Sequence, residues 1–380
     1  MLRILTTFGT RPEAVKMAPV IRVLQAHPGI ESRICVTAQH REMLDQVLEI
    51  FDLHPDYDLD LMRHDQTLAG LTAEIFTRLD PLLSGEPWDW VLVQGDTTTV
   101  MAAALNAFYR RIRVGHVEAG LRTGDRTQPF PEEINRRVAG VVADLHFAPT
   151  SRAVENLRSE GIAAWRIALT GNPVIDALNE ISVKPPPAAV TDFLGSKNIC
   201  PDGKRMILVT AHRRENFGSG IESICMAIRD LAMASPEDLE IVYPVHLNPN
   251  IQEPVHRLLA GIPNITLLPP VEYLSLVHLM KSADLVLTDS GGIQEEATGL
   301  GKPTLVLREV TERPEGLEAG VLLLVGTDRE RIVGETRRLL VDHEVYLRMA
   351  RASNPFGDGH AAEKILAALL AFRDNSSISQ

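Results

Sequence analysis

Cysteine is scarce. The 380 residues hold three, Cys35, Cys200 and Cys225, far apart and without C-x-x-C spacing. That excludes a disulfide framework and a cysteine-built zinc site, and it predicts a reducing, cytoplasmic setting. Long apolar runs are absent; no stretch approaches the roughly 20 residues that a membrane span needs. Met1–Thr7 lacks a basic segment followed by a long apolar run, so it reads as a first strand and not as a signal peptide. Positive charge is in deficit: Lys+Arg 38 against Asp+Glu 50, a net charge of -12. Such a chain has no global attraction for nucleic acid or an anionic membrane, so any polyanion must meet a local positive cluster. Internal repeats are missing, and the histidines show no ligand spacing, which predicts no catalytic metal. What remains is 45% apolar and 23% charged, ordinary for a folded chain. At about 150 residues per domain the length predicts two domains.

Apolar runs of strand length alternate with segments of helical period. Strands are predicted at Leu2–Thr7, Arg33–Thr37, Trp90–Gln94, Ile112–Val117, Leu145–Ala148 and Ile167–Thr170. Helices lie between them: Pro12 suits a first turn, Leu68, Leu71, Ile75 and Leu82 share a face, Glu132–Val142 is periodic, and Ser151 caps another. Val183-Lys184-Pro185-Pro186-Pro187-Ala188 then breaks the pattern near a domain boundary. Alternation restarts, with strands at Met206–Thr210, Glu240–Val245, Ile265–Leu268, Leu285–Thr288, Thr304–Leu307 and Val321–Val325, and a final helix around Ala361–Phe372. Repeated βα alternation predicts α/β architecture with parallel, doubly wound sheets.

Ligands of such sheets bind at the carboxyl ends of strands. After the first strand comes Phe8-Gly9-Thr10-Arg11-Pro12-Glu13-Ala14-Val15-Lys16, a glycine turn into a helix start with two cations. It is not G-x-G-x-x-G, which disfavours a dinucleotide. Asp96 follows the strand Trp90–Gln94, where a helix cap would explain it equally well. Glu118 follows Ile112–Val117 beside two glycines, a placement less easily explained as structure. Glu132 and Glu133 open a helix, where acids also suit the dipole. In the second half, Met206–Thr210 runs into Ala211-His212-Arg213-Arg214, which resembles a phosphate partner or general acid. Leu285–Thr288 runs into Asp289-Ser290-Gly291-Gly292, whose N–H groups would cradle a diphosphate, with Glu296 a turn further in for ribose hydroxyls. Asp58-Leu59-Asp60 matches a metal-binding D-x-D, but with no strand before it a solvated turn is the better reading. Carboxylates in one half and phosphate-binding features in the other suit a nucleotide-sugar site between two Rossmann-like domains.

Together these segments closely resemble the non-hydrolysing UDP-N-acetylglucosamine 2-epimerases of bacteria. The match runs through Phe8–Pro19, Thr37–Gln46, Gly95–Thr99 with Gly115–Gly124, Thr210–Asn216 with Tyr243–Pro249, and Thr288–Ala297 with Thr311–Glu315. The resemblance implies a GT-B-like fold: a first domain at 1–178, a UDP-binding domain at 179–360, and a helix at 361–380 returning to the first. It implies interconversion of UDP-N-acetylglucosamine and UDP-N-acetylmannosamine for cell-surface polysaccharides, without a cofactor, in a homodimer. The C2 hydrogen is not next to a carbonyl, so the family eliminates UDP to 2-acetamidoglucal and adds it back. Carried over residue by residue, the acids and bases fall on Asp96, Glu118 and Glu132, with His212 near the phosphates. Arg11, Lys16, His212, Ser290, Gly291 and Gly292 match diphosphate contacts, Glu296 the ribose contact, and Arg313 a further contact. In the uracil stretch, Val271 stands where some members carry Gln and Leu276 where some carry an aromatic. Gln39, Glu42, Arg213 and His246 match a region that binds a second, activating UDP-N-acetylglucosamine in some members, with Glu42 in place of a Gln. Competing readings are an epimerase of a UDP-diacetamido-uronate, a GT-B glycosyltransferase, a hydrolysing variant and a non-catalytic sensor. Gly9-Thr10-Arg11-Pro12, where uronate relatives tend to have Gly-Ala-Arg-Pro, argues against the first. Three carboxylates argue against a sensor and a transferase.

Overall fold

The computed structural model describes residues 1–37, 41–61, 63, 66–199 and 203–372, apart from the side chains of 41–43. Contacts divide the chain into two units, Met1–Ala177 with Phe356 onward, and Leu178–Pro355.

The first unit runs β1 (Leu2–Phe8), α1 (Arg11–Ala26), β2 (Ile30–Val36), α2 (Arg41–Ile50), β3 (Tyr57–Asp58), α3 (Leu68–Gly85), β4 (Trp90–Gln94), α4 (Thr98–Tyr109), β5 (Arg113–Val117), α5 (Glu132–Val142), β6 (Leu145–Ala148), α6 (Ser151–Ser159) and β7 (Ile167–Leu169), and the dividing point falls inside α7 (Pro173–Ser182). Its seven strands are parallel, in the order β3-β2-β1-β4-β5-β6-β7. Central strands buried on both faces read as unbroken apolar runs, as in Trp90-Val91-Leu92-Val93. One side of the core joins Leu5, Val91 and Val93 to Ile75, Leu79, Ala103 and Ala107 from α3 and α4.

The second unit runs α8 (Ala188–Ser196), β8 (Arg205–Thr210), α9 (Ser219–Ala234), β9 (Leu239–Pro244), α10 (Pro249–Leu259), β10 (Ile265–Leu268), α11 (Tyr273–Ser282), β11 (Leu285–Thr288), α12 (Gly291–Gly299), β12 (Thr304–Val306), α13 (Pro314–Glu318), β13 (Leu322–Leu324), α14 (Arg329–Val341) and α15 (His343–Ala350). Its strands are parallel, in the order β10-β9-β8-β11-β12-β13. Ile207, Val209, Ile241, Tyr243, Leu285 and Leu287 form its core with α9 and α10. α16 (Ala361–Ala371) belongs to the first unit, where it packs on α1 and β7. Both sheets have the expected α/β, doubly wound form.

Three local expectations need correction. The cap of α6 is Thr150, whose hydroxyl accepts from Ala153 N, and Ser151 is the first helical residue. β2 begins three residues before the expected Arg33, because polar Glu31 pairs with Arg3 across the ladder, Arg3 Nε donating to Glu31 Oε2 at 2.8 Å. Asp58-Leu59-Asp60 does begin in a strand: Tyr57–Asp58 extends the sheet beside β2, too short to show in an apolar pattern. The turn itself is real, with Asp60 N donating to Asp58 Oδ1 at 3.1 Å.

Candidate active site

In each sheet the order of winding reverses once, between β1 and β4 in the first and between β8 and β11 in the second. Loops leaving two such strands diverge and open a crevice at their carboxyl ends. Arg11, Asp96, His212 and Ser290 follow these four strands, and the other candidates follow neighbouring strands or open the next helices.

In the first unit, Thr10 caps α1 in a capping box with Glu13, and Pro12 fills the first turn. Arg11 is the half-buried first residue of the helix, and Lys16 is buried one turn further in. Asp96 follows β4, but it is not the cap of α4. Thr97 takes that place, its hydroxyl accepting from Val100 N. The cap explanation for Asp96 therefore lapses. Asp96 instead pairs with the buried Arg136 of α5, whose Nη2 donates to Asp96 Oδ2 at 2.6 Å, while Asn135 donates to the Asp96 carbonyl at 3.0 Å. Glu118, directly after β5, is 7% exposed and has φ 62, an unusual backbone for a non-glycine residue. Lys16 Nζ donates to its two oxygens at 2.6 and 2.8 Å, Asn172 Nδ2 donates at 2.9 Å, and Gln94 Nε2 also donates. Charge-assisted donors of this kind fix a carboxylate's position and stabilise its charge. Glu132 is the half-buried first residue of α5. The neighbouring Glu133 is fully buried and structural, accepting from Thr123 N at 3.1 Å and Arg137 Nε at 3.0 Å.

Two buried groups behind these carboxylates were not singled out from the sequence. Glu13 accepts from Gly9 N at 3.1 Å and Thr10 N at 2.7 Å through one oxygen, and from the Thr97 hydroxyl at 2.8 Å through the other. It ties the loop of Arg11 to the loop of Asp96, and burial pushes its carboxyl above the ordinary value. The T-x-x-E capping pattern was a visible signal for it. His116 donates from Nε2 to the Gly95 carbonyl at 2.7 Å, and burial pushes its imidazole down to about 4. Asn172 and Arg136 carried no sequence signal, because their partners lie 54 and 40 residues away.

In the second unit, Ser290 is the N-cap residue of α12, so the N–H groups of Gly291 and Gly292 stand in its first turn. Gly291 is buried under Arg313: a Cβ there would come within 3.5 Å of the guanidinium. Arg313 is held by Glu295 and by Glu312, the latter at 3.3 Å. Glu296 is buried and accepts from the Tyr273 hydroxyl at 2.7 Å. Val271 is half-buried before α11, and Leu276 is buried within it. His212 and Arg213 follow β8, and the His212 ring stacks on His246 with centroids 5.4 Å apart. Asp289, fully buried, accepts from His212 N and Arg213 N at 2.8–3.0 Å. Sequence inspection passed over it, although a carboxylate ending an apolar strand was the available signal. Gln39 lies outside the described residues, as does the side chain of Glu42 on α2. Among the described residues, no group of three or more His, Cys, Asp and Glu side chains could hold a metal ion.

The family model described as UDP-N-acetylglucosamine 2-epimerase matches residues 22–370. The chain belongs to that family. A UDP-N-acetylglucosamine 2-epimerase of Yersinia pestis is 53% identical over 370 residues, 97% of this chain and 98% of the relative. The crystal structure of the Neisseria meningitidis UDP-GlcNAc 2-epimerase bound to UDP-GlcNAc aligns with TM-score 0.91 at 47% identity, covering 98% of this chain and 100% of that one. The Methanocaldococcus jannaschii UDP-GlcNAc 2-epimerase, in complex with UDP-GlcNAc and UDP, aligns with TM-score 0.83 at 34% identity, covering 98% and 100%. This chain is therefore an enzyme of the epimerase class, an isomerase, on the α/β fold of that family.

Proposed function

We propose that the enzyme interconverts UDP-N-acetylglucosamine and UDP-N-acetylmannosamine by eliminating and re-adding UDP. A carboxylate takes the C2 proton as the C1–O bond to UDP breaks, leaving 2-acetamidoglucal and UDP. A proton then reaches the opposite face of C2 as UDP returns to C1. The observation that carries this reading is the pair of strand-end carboxylates: Asp96 on Arg136, and Glu118 on Lys16, Asn172 and Gln94. Carboxylates held by fixed donors at strand ends are what proton transfer at one face of C2 requires, with Glu132 left for the opposite face. Asp96 and Glu118 serve one face of C2 and Glu132 the other. Ser290, Gly291, Gly292, Arg11, Lys16 and His212 receive the diphosphate, where helix N–H groups and cations offset charge on the leaving group. Glu296 takes the ribose, Arg313 a further contact, and the stretch from Val271 to Leu276 the uracil. Gln39, Glu42, Arg213 and His246 would form a second, regulatory UDP-sugar site. No nicotinamide or metal enters this route. A cytoplasmic homodimer feeding cell-surface polysaccharide synthesis is the setting that goes with it.

The test is proton NMR of UDP-N-acetylglucosamine with the enzyme in D2O, with EDTA and no added NAD. UDP-N-acetylmannosamine carrying deuterium at C2 is the expected product. Free N-acetylmannosamine with UDP would mean hydrolysis instead. Glu118→Gln should keep UDP binding in calorimetry and lose epimerisation by about 100-fold or more. Turnover comparable to wild type would remove Glu118 from the chemistry.

A further inference from the structure

In the second unit the backbone from Ala211 to Asn216 is held by one buried carboxylate. Asp289 is 0% exposed. Asp289 Oδ2 accepts from His212 N at 2.9 Å, Arg213 N at 2.8 Å and Asn216 Nδ2 at 3.0 Å. Its Oδ1 accepts from His212 N at 3.0 Å and stands 3.6 Å from His212 Nδ1, an ion-pair separation longer than a hydrogen bond. Asn216 Nδ2 also donates to the Leu307 carbonyl at 3.1 Å, and the Tyr243 hydroxyl donates to the Ala211 carbonyl at 2.7 Å. The segment is thus fixed from β9, β11 and the end of β12. The His212 ring, 37% exposed at its side chain, has the carboxylate near its Nδ1 and the His246 ring stacked on its face. Asp289 is also the residue just before Ser290, the N-cap of α12.

A carboxylate serving only as a backbone anchor has no need of the imidazole. Here one oxygen faces both the His212 amide and the His212 ring. A carboxylate facing one ring nitrogen selects the tautomer that carries its proton there and leaves the other nitrogen for the ligand. Catalytic hydrogen bonds are often long without substrate and tighten when it binds.

We propose that Asp289 is the positioning residue of His212, holding its backbone and facing its Nδ1 so that Nε2 is presented beside the first turn of α12. Asp289 touches no substrate. It acts by keeping the His212 ring in one tautomer and one orientation toward a diphosphate, a role in turnover that rests on the epimerase reading above.

The first measurement uses the wild-type chain without ligand, 15N-labelled in its histidine rings. Long-range ring correlations report the tautomer of each neutral imidazole, and His212 is the set missing from His212→Gln. The expected result is Nδ1–H for His212; Nε2–H would overturn the proposal. The second is Asp289→Asn, which keeps the shape and removes the charge. It should lower kcat about tenfold or more with KM within about threefold, because orientation is lost and binding is kept. A folded Asp289→Asn with wild-type kcat would also overturn it. Should that variant fail to fold, the wild-type tautomer decides alone. UDP calorimetry on the wild type separates the two ideas: absent UDP binding sinks the epimerase reading and leaves the tautomer result standing.

Discussion

Single residues here carry backbone demands as well as chemistry. Glu118 sits at φ 62, where a β-carbon is crowded, and three side chains hold it there. Such strain at a strand end is characteristic of positions that must aim a functional group. Gly120, two residues on, has φ 91, and an added Cβ would meet the Ala153 carbonyl oxygen at 2.4 Å. Neither the backbone nor α6 can give way cheaply. Gly120→Ala should destabilise the protein by about 2 kcal/mol, read as a fall in the urea midpoint. An unchanged midpoint would show that the loop relaxes. The glycines beside Glu118 were legible in the sequence, but their reasons were not. Gly120 is small because of Ala153, which local spacing cannot reveal.

Among elements, the helix starts position the candidate residues. α1 and α4 leave neighbouring strands, and Glu13 joins their first turns through Thr97. Thr97 thus has two tasks, capping α4 at Val100 N and donating to Glu13. Thr97→Ala should cost about 1 kcal/mol of stability from the lost cap. It should also lower kcat more than it raises KM, because the Asp96 loop loses its tie to the Arg11 loop. Thr97→Ser should restore both; failure of Ser to rescue turnover in steady-state assays would mean that the methyl packing matters and the hydroxyl does not. α5 is tied in the same manner, with Arg136 and Asn135 both reaching Asp96. The sequence placed α5 at Glu132–Val142 correctly from its period, since one face is apolar and the other is not.

On the scale of the whole molecule, the buried titratable groups set how stability depends on pH. Burial lowers His116 to about 4 and His146 to about 3, from an ordinary value of 6.5. Both rings lie in the first unit, opposite one another across β5 and β6. From pH 6.5 downward the unfolded chain takes up protons that the folded chain refuses. Stability therefore falls with pH from 6.5 until the folded values near 4 and 3 are passed. Glu13 works in the opposite sense: raised above its ordinary 4.5 in the fold, it withdraws stability as pH rises through that range. Thermal melts between pH 7 and 4 should show the wild-type Tm falling more steeply than that of His146→Gln. Parallel curves would take His146 out of the linkage.

The sequence by itself determined the α/β class, most of the strands and the candidate loops at their carboxyl ends; the two-residue β3 left no apolar pattern. Those features follow from local periodicity and from the rule that parallel strands present their ligands at carboxyl ends. Glu118, Asp96, His212 and Ser290 stood out in the sequence because each lies within two residues of a strand end. Only the tertiary structure decided what each one touches. Lys16 meets Glu118 across 102 residues, Arg136 meets Asp96 across 40, and His212 meets Asp289 across 77. These pairings depend on strand order, which a single sequence does not encode in any local window. Burial then selects the partners, because a carboxylate taken out of water must find donors wherever the sheet brings them.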